Sequence, residues 1–354
     1  MAKVVLGVVV VTFNAADVIL DCLESLLAAT GVDLRVVIVD NASTDGTGAL
    51  LRDWAAGRQI YQAPPDLPFA LQASAKPVLL AAQAAGRSDR GPSDAAHQLT
   101  LIETGMNGGF AFGVNRGLAC LARMPEVERF WVLNPDSVVP AQTPYAFAQM
   151  PAPVGGFALM GGRVLYLDHP AIIQIDGGTL NRLTGVTSNI NLFAEHRLTP
   201  PPSAAAMDFI TGASMVVSRQ FYQSAGPMPE EYFLYYEEVD WAMRRGALPL
   251  LYCGQALVYH RTGTAIGSPT LGRPASPFSL YFKHRARRRF MWRYHRLALP
   301  AVFAYSLAKA AQLLVKGYPA EARAVLGACL GLPPSPGIRA RLSPEAARLA
   351  FPPR

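Results

Sequence analysis

The sequence predicts an α/β fold with a mostly parallel central sheet and a helical C-terminal extension. Three observations carry this. Short, unbroken runs of β-branched residues alternate with helix-like segments over the first third of the chain, polar residues collect where those runs end, and strand patterns give way to helical ones from about Ser279 onward. Strand and helix in alternation imply parallel strands joined by right-handed crossovers. Strands buried on both faces are apolar throughout and do not alternate, as these runs show.

Val4–Val11 follows Lys3 and is too short for a signal-peptide core. It leads into Thr-Phe-Asn without a small-residue cleavage site, so it reads as a buried strand. Asn14 is the expected N-cap of a helix over Ala15–Ala29, whose Ile19, Leu23, Leu26 and Leu27 share a face. Leu34–Asp40 is the second strand and Thr44–Trp54 the second helix; Leu99–Glu103, Gly109–Arg123 and Arg129–Asn134 continue the alternation. Between them Gly57–His97, rich in Ala, Pro, Gly and Gln, reads as an inserted excursion, helical around Val78–Ala85 and mobile near Gly86–Ser93, either solvated or covering a site edge. From Gly161 the pattern becomes mixed. Strands are expected over Gly162–Leu167, Ile172–Ile175, Met207–Ile210 and Ala213–Ser218, then a helix holding Glu237–Arg245 and a closing strand Ala256–His260.

At 354 residues and 51% hydrophobic the chain builds a sizeable core, which excludes a disordered protein. Its formal charge of +7 is concentrated at the end: from Tyr281 onward 14 Lys/Arg face 2 Asp/Glu, leaving 18 against 23 before it. A basic tail suits an anionic membrane surface or nucleic acid, but no nucleic-acid module is recognisable, so none is expected as a partner. The four cysteines (22, 120, 253 and 329) are far apart with no C-x-x-C pair, which points to reduced thiols and a cytoplasmic protein.

Open α/β sheets bind ligands at the carboxyl ends of their strands. There this chain places Thr12 and Asn14, Asp40 and Asn41, Asn107, and Asn134 with Asp136. No G-x-G-x-x-G follows the first strand, which argues against a nucleotide-dependent oxidoreductase or methyltransferase. The densest chemistry is Phe233–Trp241, Phe-Leu-Tyr-Tyr-Glu-Glu-Val-Asp-Trp, where carboxylates sit among aromatic rings. Two readings stand: an acidic start to an amphipathic helix, or carboxylates held in low dielectric to accept a proton.

Five ordered segments resemble family-2 glycosyltransferases of the GT-A fold, in particular the rhamnosyltransferase-like branch. They are Val-Val-Thr-Phe-Asn (10–14), Val-Asp-Asn-Ala-Ser-Thr-Asp-Gly-Thr (39–47), Asn-Gly-Gly-Phe-Ala-Phe-Gly-Val-Asn-Arg-Gly (107–117), Leu-Asn-Pro-Asp-Ser (133–137), and Asp-Phe-Ile-Thr-Gly-Ala-Ser (208–214) leading into Tyr-Tyr-Glu-Glu-Val-Asp and Val-Tyr-His. The resemblance covers about residues 4–262. It implies a catalytic domain over 1–278, with a nucleotide-sugar half to residue 140 and an acceptor half beyond it, followed by the extension 279–354.

On this resemblance Thr12, Asn14, Asp40, Asn41 and Ser43 hold the nucleotide, with Asn107, Gly109 and Asn115 approaching it from the third motif. Leu133–Ser137 stands where the family has its Asp-x-Asp metal motif, with Asn134 replacing the first Asp; Asp136, with Asn134 as a neutral contact and His260 from the late Val-Tyr-His, would hold Mg²⁺ or Mn²⁺. Glu238 corresponds to the catalytic base. Glu237, Tyr235, Trp241, Thr211 and Gly212 fall on the acceptor side. Asp240 lies about 200° round the helix from Glu238 and is expected to pair with Arg244. The implied activity is metal-dependent, inverting transfer of a sugar, with dTDP-rhamnose the leading donor and a UDP-hexose or UDP-galactofuranose next, to a saccharide or lipid-linked acceptor in bacterial surface polysaccharide assembly. A non-catalytic sugar-binding scaffold on the same fold is the alternative that Asn134 leaves open. Tyr281–Arg296, with seven Lys/Arg among Phe282, Phe290, Met291, Trp292 and Tyr294, followed by apolar Leu297–Val315, reads as lying on a membrane or packing on the catalytic domain.

Overall fold

A computed structural model describes residues 4–84, 97–261 and 274–351. In chain order the strands are β1 (Val5–Thr12), β2 (Asp33–Asp40), β3 (Leu80–Ala84), β4 (His97–Glu103), β5 (Arg129–Leu133), β6 (Ser137–Val138), β7 (Leu159–Tyr166), β8 (Ile173–Ile175), β9 (Gly178–Leu180), β10 (Thr187–Asn189), β11 (Ser214–Ser218) and β12 (Leu251–His260). The helices are α1 (Ile19–Leu27), α2 (Thr47–Ala55), α3 (Phe110–Leu121), α4 (Thr143–Gln149), α5 (Arg219–Ala225), α6 (Glu237–Met243), α7 (Pro277–Tyr294), α8 (Leu299–Val315), α9 (Pro319–Leu330), α10 (Pro336–Arg339) and α11 (Pro344–Ala350). The main sheet runs β3-β4-β2-β1-β5-β11-β7-β12-β6, with β8 beside β7, and β9 and β10 form a separate ribbon.

Register gathers the site. Thr12 pairs with Asp40 across β1 and β2, and Val10 with Leu133 across β1 and β5, so the carboxyl ends of three parallel strands lie together. β11 enters antiparallel with Ser214 opposite Leu133, bringing the 211–213 turn to the same edge. β7 pairs antiparallel with β11 and β12 parallel with β7, so β12 again runs in the direction of β1 and delivers His260 opposite Ser137 of β6.

The long apolar runs are explained by burial on both faces. Leu6, Val8 and Val10 of β1 join Ile19, Leu23 and Leu26 of α1 and Trp54 of α2; Val9 and Val11 face Val114 and Leu118 of α3. Gly117 permits that second contact, because a Cβ there would stand 2.4 Å from Val9 Cγ1.

Several local expectations are corrected. Asn14 does not cap α1: Val18 is the N-cap, and Asn14 sits at φ 53 with its Oδ1 accepting from Thr44 N at 2.7 Å. An Asx side chain tolerates that backbone and here prefers the neighbouring loop to a helix end. Val78–Ala85 contains the strand β3, not a helix; paired edge to edge with β4, its short Ala-rich run extends the parallel sheet. Met207–Ile210 joins the fold through a single bridge between Phe209 and Gly178 and is not a strand. The stretch before β3 is pinned to α1, since Glu24 accepts from Lys76 Nζ, Trp54 Nε1 and Ser74 N, each at 2.7 Å. The segment expected to be mobile, 86–93, lies wholly outside the described residues, as does the rest of 85–96.

The C-terminal helices pack on the sheet domain through α7. Phe278, Tyr281 and Phe282 bury themselves with Phe233 and Leu234, joined by Ala324, Ala328, Ile338, Ala346 and Ala350 from α9 to α11. Of the two readings of the basic-aromatic stretch, packing accounts for α7. Arg287 is 2% exposed and donates to the Tyr236 hydroxyl, and Arg289 donates to the Glu231 carbonyl, so Arg287 is not available to lipid.

Candidate active site

The first cluster lies at the ends of β1 and β2. Asp40 is nearly buried and its Oδ1 accepts from both the backbone N–H and the hydroxyl of Ser43. Burial pushes its carboxyl above the ordinary value, against the opposing pull of Ser43. Asn14 N donates to Ser43 Oγ at 2.9 Å, closing the loop between the two strand ends. Thr12 Oγ1 and Asn41 Oδ1 are buried and meet no hydrogen-bond partner among the described residues, although Asn41 N donates to Thr12 O. Buried oxygens in that state cost free energy unless a donor reaches them, which is a property of ligand sites. Asn107 Oδ1 accepts from Gly109 N, and Asn41 Nδ2 donates to Gly109 O, so the third motif folds onto the first two. Asn115 is different: its amide bonds Met228 N, Met228 O and Glu230 Oε1, which ties α3 to the chain before α6 and gives it a structural role where a nucleotide contact was expected.

The second cluster joins residues more than a hundred positions apart. His260 Nε2 stands 3.1 Å from Asp136 Oδ1 and 3.1 Å from Asn134 Nδ2, while its Nδ1 stands 2.8 Å from Gln174 Oε1. Gln174 Oε1 is an acceptor, so Nδ1 carries the hydrogen in the neutral ring and Nε2 is an acceptor that faces both the Asn134 amide nitrogen and Asp136 Oδ1. Two acceptors that close need a proton or a cation between them. A carboxylate and an imidazole with their surroundings partly open fit a divalent cation that takes further oxygens from a ligand or water. Asn134 turns its amide nitrogen, not its oxygen, to His260 Nε2, so it does not take the place of the neutral ligand expected. Gln174 gave no signal in the sequence, because an isolated Gln in a three-residue strand belongs to no pattern. Among the described residues no group of three or more His, Cys, Asp and Glu is arranged to hold a metal.

The third cluster is the acidic loop. Phe233, Tyr235 and Tyr236 all have φ between 66° and 68°, a conformation costing non-glycine residues of order 1–3 kcal/mol each. The loop is held from two sides. Phe110 N donates to Phe233 O, and Gly109 lies so close beneath that carbonyl that a Cβ would meet it at 2.3 Å, which connects the loop to the third motif. From α7, Phe282 packs on Phe233 at 5.2 Å between ring centres, Ser279 Oγ shares a 2.7 Å hydrogen bond with Tyr235, and Arg287 Nε donates to Tyr236 at 3.0 Å. The Tyr236 hydroxyl in turn donates to Gly185 O.

This loop presents Glu237 and Glu238 at the start of α6. Glu237 is 3% exposed and its Oε2 meets no partner among the described residues. Burial, and then the neighbouring Glu238, push its carboxyl well above the ordinary range. Glu238 is half-buried; burial pushes it up to about 6, with Lys283 of α7 pulling the other way. Burial raises both adjacent carboxyls, and of the two Glu238 is the one that reaches solvent. Asp240 cannot compete for that role. It is fully buried, accepting from Arg244 and Tyr294 on one oxygen and from Tyr232 and Arg293 on the other, which includes the expected pairing with Arg244.

On the acceptor side the outcome is mixed. Thr211 and Gly212 lie half-buried at the shared strand edge, where Ala213 O accepts from Asn134 N. Tyr235 has its hydroxyl engaged by Ser279, and the burial of Glu237 suits fixing the loop better than meeting an acceptor. Trp241 is corrected outright: it is fully buried, donates to Gly226 O and packs against Phe221, so the aromatic spacing there serves the core. Sequence reasoning missed Ser279, Lys283 and Arg287 as neighbours of the loop, because the basic run that contains two of them suggested an exposed surface.

Residues 7–63 match the family model Glycosyl transferase family 2, a span that holds β1, α1, β2 and α2. Among solved structures the chain is similar to the mannosyltransferase PcManGT from Pyrobaculum calidifontis, in complex with GDP-Man and Mn2+, at 16% identity and a TM-score of 0.50, covering 93% of this chain and 87% of that one. It is also similar to GalNAc-T7 with UDP, GalNAc and Mn2+ (12% identity, TM-score 0.48, 80% of this chain and 48% of that one) and to S. aureus TarS 1-349 (12% identity, TM-score 0.42, 97% and 77%). No curated protein matches it in sequence. The fold is the GT-A fold, and the stretch from β1 to α2 is similar to family 2 glycosyltransferases.

Proposed function

We propose that this chain is an inverting glycosyltransferase that moves a sugar from a nucleoside-diphosphate donor to a saccharide or lipid-linked saccharide. The observation that carries the reading is the His260–Asp136 contact at 3.1 Å, placed by sheet register on the same edge as Thr12, Asp40 and Asn41. Asp40 offers an acceptor for the N3–H of a uracil or thymine ring, and Thr12 and Asn41 offer buried oxygens beside it. Asp136 and His260 would hold a divalent cation that neutralises charge on the departing diphosphate. Glu238, ionised above pH 6, takes the proton from the acceptor hydroxyl as that oxygen attacks the anomeric carbon opposite the nucleotide, so the configuration inverts. Glu237, buried beside it, holds the loop.

The donor is assigned by the resemblance of the motifs, with dTDP-rhamnose first and UDP-hexose or UDP-galactofuranose second. The PcManGT complex holds GDP-Man, which adds a guanine nucleotide to the trial set. A thermal-stability screen of these donors with and without Mn²⁺ tests the reading. A true donor at 100 times its dissociation constant adds about 2.7 kcal/mol. Stabilisation by one donor that requires Mn²⁺ is the expected result; no response to any donor sinks the proposal.

A further inference from the structure

Helix α8 has an unusual outer face. Val302, Ser306, Ala310 and Leu313 are buried, and Ser306 Oγ stands 3.0 Å from His284 Nδ1 of α7, so one side of the helix is docked. The exposed residues Pro300, Ala304, Leu307, Ala308, Ala311, Leu314 and Val315 are apolar. At 100° per residue these fall within an arc of about 120°, and exposed Gln312 borders them about 40° beyond Ala308, leaving the apolar set to itself. A helix facing water places charged or polar groups on that arc. Polar groups lie outside it instead, with Trp292 and Arg296 before the helix and Lys316 and Arg323 after it, all exposed. The Arg296 guanidinium lies over the Trp292 ring at 5.4 Å.

We infer that this face lies on an anionic lipid bilayer. An apolar stripe bounded by an aromatic ring and by cations fits a helix lying in the interface plane, with the stripe at the acyl boundary and the cations among phosphate head groups. Arg296–Val315 is the one segment among the described residues long and apolar enough to cross a membrane. Crossing would expose Ser306 and its bond to His284 to lipid and undo the packing of Leu313 with Leu280 and Val325, whereas lying flat keeps both. The exposed cations that flank the stripe, Arg296, Lys316 and Arg323, commit the surface to anionic lipid. The inference is independent of the glycosyl-transfer reading.

Sedimentation of the full chain with vesicles of phosphatidylcholine alone, or mixed with phosphatidylglycerol, tests it. Binding to the mixed vesicles that weakens with salt is expected. The double variant Leu307→Glu and Leu314→Glu, on exposed positions, should partition at least about tenfold less while keeping its melting temperature. Lys316→Gln with Arg323→Gln should weaken binding to the mixed vesicles several-fold and leave any residual binding to neutral ones unchanged. The inference is overturned if the wild type ignores both vesicles or if the double variant binds as the wild type does. It is equally overturned if the wild type is a dimer in solution that the double variant dissociates, since a second copy would then cover the face.

Discussion

Replacing Glu238 by Gln keeps the shape of the side chain and removes its ionisation. In the folded protein this carboxyl sits at about 6, against an ordinary value of 4.5. That difference corresponds to about 2 kcal/mol. The folded-state value is the raised one, so the group favours folding below about pH 4.5, and that contribution is lost as pH rises through 6. The Gln variant has no such loss. Its stability relative to the wild type should therefore increase by about 2 kcal/mol between pH 4.5 and pH 8, an effect read by urea denaturation at the two pH values. Turnover should move the other way, falling about 10²–10⁴-fold with donor affinity little changed. The wild-type kcat/KM should fall about tenfold per pH unit below 6, and the residual activity of the variant should lack that limb. Near-normal turnover in the variant, or a wild-type profile flat from pH 5 to 7, would refute the assignment of Glu238 as base.

Asp136→Ala should abolish Mn²⁺-dependent stabilisation by the donor while the unliganded protein melts almost unchanged; calorimetric titration with and without Mn²⁺ reads both. Gln174→Leu, which frees His260 Nδ1, should weaken metal-dependent donor binding about 10–100-fold, and wild-type affinity would mean that the imidazole needs no orienting partner. Arg287→Met removes the donor to Tyr236 and should lower kcat and displace the acid limb of the pH profile while donor Kd holds; a variant that merely melts earlier, with an unmoved pH profile, would make Arg287 structural only. Trp241→Ala should cost about 3–5 kcal/mol of stability, and Trp241→Phe, if folded, should leave acceptor KM unchanged, since the ring is buried against Phe221.

The positions of β1, β2, β4 and β5 were legible because these strands are largely buried and write themselves as apolar runs, whereas the short Ala-rich edge strand β3 was not. The polar strand ends followed from that, and the register brings Thr12, Asp40 and Asn134 to one edge. What the sequence hid was contact between distant segments. Gln174 orients His260 from a short strand 86 positions away, and nothing local marks it. Trp241 and Tyr235 share an aromatic spacing, yet one fills the core and the other meets Ser279; composition cannot separate a ring that faces a ligand from one that faces the interior. The run around Arg287 shows the same limit in charge. A basic stretch reads as solvent-facing, but α7 turns Arg287 inward because the strained Tyr235–Tyr236 backbone needs partners there. The apolar arc of α8 was present in the sequence and became meaningful only when the docked side of the helix was known.

The central claim is inverting sugar transfer at the edge formed by Asp40, Asp136, His260 and Glu238. It is tested most directly by following the anomeric proton by NMR in real time, with the donor that stabilises the protein, Mn²⁺ and a saccharide acceptor. The account predicts loss of the donor signal with release of nucleoside diphosphate, a product of opposite anomeric configuration, and almost no reaction with Glu238→Gln. A product that retains the donor's configuration, or equal reaction by the wild type and the variant, would contradict it.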